Sequence, residues 1–324
     1  MRHNLFLTKK HLTMKRHLVS LLLALLLLFG AYTATSQTHD IVKPPEDADN
    51  WEIPAKAEKD QQVNIKYIGN KYVREVTLKP AYLPLPGVFS VSDSKKVRFS
   101  KGNLQYQPSS NTWRFAANQF DLLANNSTSY TSTSTDWIDL FGWGTWTVNG
   151  ADPWETSTSY SDYKAGISRS GEFKNDCKES IGSDWKTLSQ TEWSYLLFTR
   201  TPDMGILYSK AKVHGVNGLV LLPDEWNYIY NFANSNTVDA EFAEISNADW
   251  ATLESKGAVF LPAAGYRRGV LGGRDGSFGY YWSSTASSVS GAYDMRFGFS
   301  FVSTDIYHTR DYRRSVRLVC NLKE

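Results

Sequence analysis

The sequence predicts an α+β protein of short strands, two short helices and long loops, with a globular C-terminal part behind an extended stalk. Three observations lead there. A Pro-broken, charge-rich stretch runs from Gln37 to Pro86, and the texture turns globular at Gly87. Beyond that point most apolar residues fall in short runs bounded by Gly, Ser, Asn and Asp, the pattern of strands and turns. Only two segments carry helix signatures. With 324 residues the chain can bury a sizeable core in one large domain or two small ones.

The first element is a targeting signal. Met14-Lys15-Arg16-His17 is a basic n-region, Leu18 to Ala31 is almost continuously apolar, and Ala34-Thr35-Ser36 supplies small residues before Gln37. This is the layout of a secretory signal peptide over residues 1–36. The apolar run is shorter than the ~20 residues that a spanning helix needs; the alternative reading is an uncleaved N-terminal anchor. No Cys follows the run, so a lipoprotein anchor is not expected. Over the whole chain 35 Lys and Arg stand against 33 Asp and Glu, a formal charge of +2. Residues 1–36 hold five basic residues and no acid, so the remainder carries 30 against 33 and is mildly acidic. Neither balance suits a dedicated nucleic-acid binder, which clusters positive charge on one face.

Residues 37–86 read as a stalk. Pro44-Pro45 and Leu83-Pro84-Leu85-Pro86 break regular structure. Val63 to Ile68 alternates polar and apolar residues and predicts a strand, with room for one hairpin. Residues 87–324 form the domain. Val88 to Val91, Val97 to Phe99 and Gly102 to Tyr106 read as strands, Asn125 to Thr135 as a Ser/Thr/Asn loop, and Phe141 to Trp146 as a Gly/Trp turn. Ser189-Gln190-Thr191-Glu192 is a capping box opening a helix through Trp193, Leu196 and Leu197. A second helix is predicted over Asn247 to Lys256, with Trp250 and Leu253 on one face.

Five motifs in order carry a resemblance. They are Trp185 to Trp193, Leu221 to Trp226, Leu261 to Arg267, Gly279 to Ser284 and Ser315 to Val319. Together they resemble the Fibrobacter succinogenes major paralogous domain group and the formylglycine-generating-enzyme type of C-type-lectin fold, over roughly Phe89 to Cys320. The ending is also similar to the retroelement-diversified variable proteins of Bacteroidetes. The resemblance implies a C-type-lectin-like domain on an exported or cell-surface protein, periplasm and outer membrane included. A fold does not fix a function.

The resemblance also sets the terms for catalysis. Oxidases of that group use paired late cysteines to hold copper, whereas this chain has only Cys177 and Cys320, far apart. In an exported chain the two form one disulfide or remain two buried thiols. His39, His214 and His308 are too few for a His-based zinc site. No Gly-x-Ser-x-Gly elbow occurs. Gln107-Pro108 is followed by Ser109, which breaks the calcium-sugar signature of animal lectins. No catalytic residue, metal or cofactor is therefore assigned.

The C-terminal stretch is the informative one. From Gly257 to Asn321 there is no Lys, Glu or Gln, and the positive charge comes from eight Arg among crowded aromatics. Binding surfaces favour Tyr, Trp and Arg, and antibody loops add Ser and Gly. Tyr281, Trp282, Phe297, Val316 and Leu318 are expected to pack inward, with Ser283 and Ser284 making structural hydrogen bonds. The face between Arg274 and Arg314 is expected to bind. Phe278, Tyr280, Tyr293, Phe299, Phe301, Tyr307 and Tyr312 supply apolar area. Arg274, Arg296, Arg310 and Arg313 engage carboxylates or planar groups, and Asp275, Ser277, Ser287, Asp294 and His308 supply polar contacts. Adenine-directed diversification, as in the variable proteins it resembles, turns Asn-type codons into Tyr, Asp, Ser, Gly, Phe, His or Arg codons but never Lys, Glu or Gln. The expected partner is an extracellular protein or glycan, with no nucleic acid, and a membrane only through export or surface tethering. The rival expectations are a divergent enzyme of the same fold and a structural subunit of a surface appendage.

Overall fold

The computed structural model describes strands at 37–41, 61–68 and 71–78, and residues 84–322 apart from 124–128, 166, 168–170, 174–176, 179, 183 and 274–275. The expected signal peptide lies outside the described residues. The chain divides into two compact units, Met1–Ala81 and Tyr82–Glu324. Among the described residues no helix is long and apolar enough to cross a membrane.

In the first unit β1 (Gln37–Ile41), β2 (Gln61–Ile68) and β3 (Lys71–Leu78) form an antiparallel sheet in the order β1-β3-β2. The predicted hairpin is β2–β3, in register from Gln61↔Leu78 to Ile68↔Lys71. The stalk thus carries a three-stranded sheet, because β1 adds to β3 at a register that local sequence does not encode.

The second unit is mixed α+β, mostly strand in several small sheets. It begins earlier than Gly87: Leu85 is buried in the core and its N–H donates to Phe99 O at 2.8 Å. β4 (Phe89–Ser92) and β5 (Lys95–Phe99) form a hairpin, and β6 (Leu104–Gln107) and β7 (Thr112–Phe115) another. A long segment follows, whose described residues hold a single 3-10 turn (Tyr160–Asp162) and β8 (Gly171–Glu172) before β9 (Trp185–Lys186). Helix α1 (Gln190–Phe198) opens on the predicted capping box: Ser189 Oγ accepts from Glu192 N, and Glu192 Oε2 from Ser189 N. Trp193, Leu196 and Leu197 are its buried residues, one helical face.

Next come β10 (Tyr208–Val213), β11 (Val216–Leu221), β12 (Ala243–Ile245), α2 (Asn247–Ser255) and β13 (Val259–Pro262). Trp250 and Leu253 are the buried face of α2, as predicted. Then follow β14 (Tyr266–Arg268), β15 (Leu271–Gly273), β16 (Gly279–Ala286), β17 (Gly291–Gly298), β18 (Phe301–Thr309), β19 (Tyr312–Arg313) and β20 (Val319–Asn321). The larger sheets are β12-β10-β11-β13, β18-β17-β16-β8 and β4-β5-β20-β9, with β15-β14-β19 beside them. Strand β20, at the end of the chain, therefore closes against β5 near the start of the unit.

One core cluster packs Phe89, Phe99 and Trp193 against Tyr281 and Phe297; a second joins Trp143, Trp146 and Trp185 to Trp282, Val316 and Leu318. All five C-terminal residues expected to pack inward are buried. Ser283 Oγ donates to Tyr293 O at 2.8 Å. The long segment is tied down by indoles. Trp143 Nε1 donates to Ser283 O, Trp146 Nε1 to Thr187 Oγ1, and Trp282 Nε1 returns a bond to Phe141 O. Gly144 lets this turn close at φ +78°, where an added Cβ would strike Ala165.

Candidate ligand-binding face

Strands β16, β17 and β18 form an antiparallel meander with Tyr280 opposite Arg296, Trp282 opposite Asp294, and Asp294 opposite Ile306. Opposed residues share a face, and successive residues alternate between faces. Tyr281 and Phe297 therefore enter the core, and Tyr280 and Arg296 look the other way. The small β14–β19 sheet adds Tyr266 and Tyr312 to this outer side.

Four rings close a circuit there. Tyr280 lies 5.6 Å from Tyr266 and 6.5 Å from His308, and Tyr312 lies 5.4 Å from each of Tyr266 and His308. These separations fall in the range of favourable aromatic pairs. The Arg314 guanidinium stacks 4.6 Å from the Tyr280 ring, 4.8 Å from Trp282 and 5.6 Å from Tyr312. Phe278 extends the array from Tyr280 to Phe301, with ring separations of 6.2 and 5.2 Å. Two further arginines mark its edges: Arg296 lies over Phe301 at 5.1 Å and Arg268 over Tyr312 at 5.3 Å.

Beneath the rings is a buried charge cluster. His308 Nδ1–H donates to Asp294 Oδ2 at 2.9 Å, since a carboxylate only accepts. Arg314 Nη1 approaches the same oxygen at 2.8 Å, an ion pair rather than an aligned hydrogen bond. Burial pushes the Arg314 guanidinium below its ordinary pKa, with Asp294, Tyr280 and Tyr312 acting in the opposite sense. Asp311, also buried, accepts from Arg268 Nε at 2.8 Å and fixes the rim arginine.

The expected binding residues divide. Phe278, Phe301, His308, Tyr312 and Arg296 are partly exposed on this array, and Tyr280 joins it while nine-tenths buried. Arg310 and Arg313 correct the expectation: both are fully buried. Arg310 donates to Ile167 O and Ser288 O and stacks 4.4 Å from Trp143, and burial pushes its pKa down to about 10. Arg313 donates to Trp154 O. Satisfying loop carbonyls keeps both side chains from a ligand. Asp294 is likewise internal and acts through His308 and Arg314.

Tyr293 and Tyr307 oppose one another in register, 6.0 Å apart, one residue out of phase with Asp294 and His308 and so on the other face. Phe299 lies at the β17–β18 turn, its ring 5.1 Å from Phe242. Ser287 closes the β16–β17 hairpin by donating from its N–H to Gly291 O, and Ser277 is partly exposed in the turn before β16. Arg274 and Asp275 lie outside the described residues.

Sequence reasoning missed Tyr266, Arg268 and Arg314. For the first two a signal existed. In Tyr266-Arg267-Arg268 a strand puts residues 266 and 268 on one side and buries 267. For Arg314 there was none.

Cys177 and Cys320 are thiols, not a disulfide. Cys320 is held on β20 between β5 and β9, and Cys177 in a bridge to Thr147. Among the described residues no three His, Cys, Asp or Glu converge as a metal site. In comparisons with known proteins, a family described as "Domain of unknown function (DUF8237)" matches residues 230–319, a span that contains every residue of the aromatic array. No curated protein and no solved structure matches the chain.

Proposed function

We propose that this is an exported or surface-held protein whose C-type-lectin-like domain recognises an extracellular protein or glycan without covalent chemistry. The observation that carries the proposal is the array of Tyr266, Tyr280, His308 and Tyr312 around Arg314, rimmed by Arg268 and Arg296. Tyr and Arg give large contact area and directional hydrogen bonds, and rings already locked by packing lose little entropy when covered. The likeness to variable proteins fits the same face, since its accessible rings and arginines are residue types that adenine-directed change can reach.

The test is selection of a displayed peptide library, together with a printed glycan array, against the folded protein and a Tyr266→Ala/Tyr312→Ala variant. Wild type should capture ligands that the variant loses by at least about tenfold, each anchor contributing on the order of 1–2 kcal/mol. Ligands held equally by both would overturn the site.

A further inference from the structure

A separate cleft of about 880 Å³ opens where the β4–β5 hairpin meets the start of α1, and it shares no residue with the aromatic array. Its size is within the range of small-ligand sites. It is lined by Lys95, Lys96 and Lys186 and by Asp93, Glu172 and Glu192, so its charges cancel. Four of the six charged groups have a partner within the lining. Lys186 Nζ donates to Glu192 Oε1 at 2.9 Å, and Lys95 Nζ lies 3.8 Å from the same oxygen. Tyr195 Oη donates to Asp93 Oδ1 at 3.0 Å.

Such a lining needs no counter-ion from a ligand, and a charged ligand would have to compete with the pairs already made. What remains on offer is a mixture: further N–H groups on the ammoniums, further lone pairs on the carboxylates, and the hydroxyls of Ser189 and Thr191. A hydroxyl group donates and accepts at once and fits such a mixture. The Tyr195 ring, Val91 and Leu322 add apolar wall, which suits the C–H faces of a pyranose ring.

We propose that this cleft is a second binding site, for a neutral polyhydroxylated chain such as an uncharged oligosaccharide. The probe is a printed array carrying neutral oligosaccharides beside sulfated and uronic-acid ones, followed by titration of whichever neutral sugar binds. Wild type should bind at least one neutral sugar. Asp93→Ala and Lys95→Ala, both at exposed positions, should each weaken it about fivefold or more, the effect of losing a hydrogen bond to a charged group. Thr191→Trp should block the cleft and abolish binding. Tyr266→Ala/Tyr312→Ala should leave this binding unchanged, which separates the cleft from the aromatic array. Thermal melts check folding; should Thr191→Trp not fold, the Asp93 and Lys95 variants carry the test. Absence of any neutral sugar, binding confined to acidic sugars, or binding indifferent to the cleft variants would overturn the proposal.

Discussion

Removing the Asp294 carboxylate should destabilise the domain through Arg314. Asp294 and Arg314 are both within about one per cent of full burial and 2.8 Å apart. The guanidinium otherwise touches three aromatic rings at 4.6 to 5.6 Å. Those rings attract a cation but are a poor substitute for a carboxylate or water. Truncating one partner of a buried pair costs about 3–5 kcal/mol, because the other charge stays buried and uncompensated. Asp294→Ala should therefore cost about 3–5 kcal/mol, and Arg314→Met about 3 kcal/mol, since His308 still pairs with Asp294. Asp294→Ala/Arg314→Met leaves no orphan charge and should cost at least about 2 kcal/mol less than the two singles together. Urea unfolding followed by tryptophan fluorescence measures each, as a midpoint shift at unchanged slope. A single-variant cost under about 1 kcal/mol, or additivity within about 0.5 kcal/mol, would refute the reasoning.

Three further outcomes are expected. Burial raises the Asp139 carboxyl to about 6, against a hydrogen bond from Leu123 N that acts the other way; a raised acid binds its proton in the native state first, so its contribution falls as pH rises through about 4 to 6 and is flat above. The stability of wild type relative to Asp139→Asn should fall by up to about 3 kcal/mol between pH 4 and pH 7, read by urea titration, and a flat difference would refute this. The two cysteines should leave Tm indifferent to a thiol reductant, and Cys320, its thiol pKa raised chiefly by burial, should alkylate more slowly than free cysteine at neutral pH.

Helix α1, with its capping box and buried Trp193, Leu196 and Leu197, was legible because caps and helical spacing are local. So were the inward Tyr281 and Phe297, which follow from strand alternation, and the concentration of aromatics and arginines after Gly257. The fate of each arginine was not legible. Arg296 and Arg268 reach the rim, whereas Arg310, Arg313 and Arg314 are internal, and all belong to one compositional class. What buries Arg310 is the Trp143 ring and the Ile167 carbonyl, far back in the chain; what holds Arg314 is Asp294 and three rings from two sheets. The cleft was illegible for the same reason: its Lys186–Glu192 pair is local, but the Asp93–Tyr195 bond and the approach of Lys95 to Glu192 join the β4–β5 hairpin to a helix that lies far along the chain. The sequence by itself determined which residue types crowd the C-terminal face. Only the tertiary structure decided which arginines meet solvent, because burying a guanidinium needs carbonyls, carboxylates and rings that arrive from distant parts of the chain.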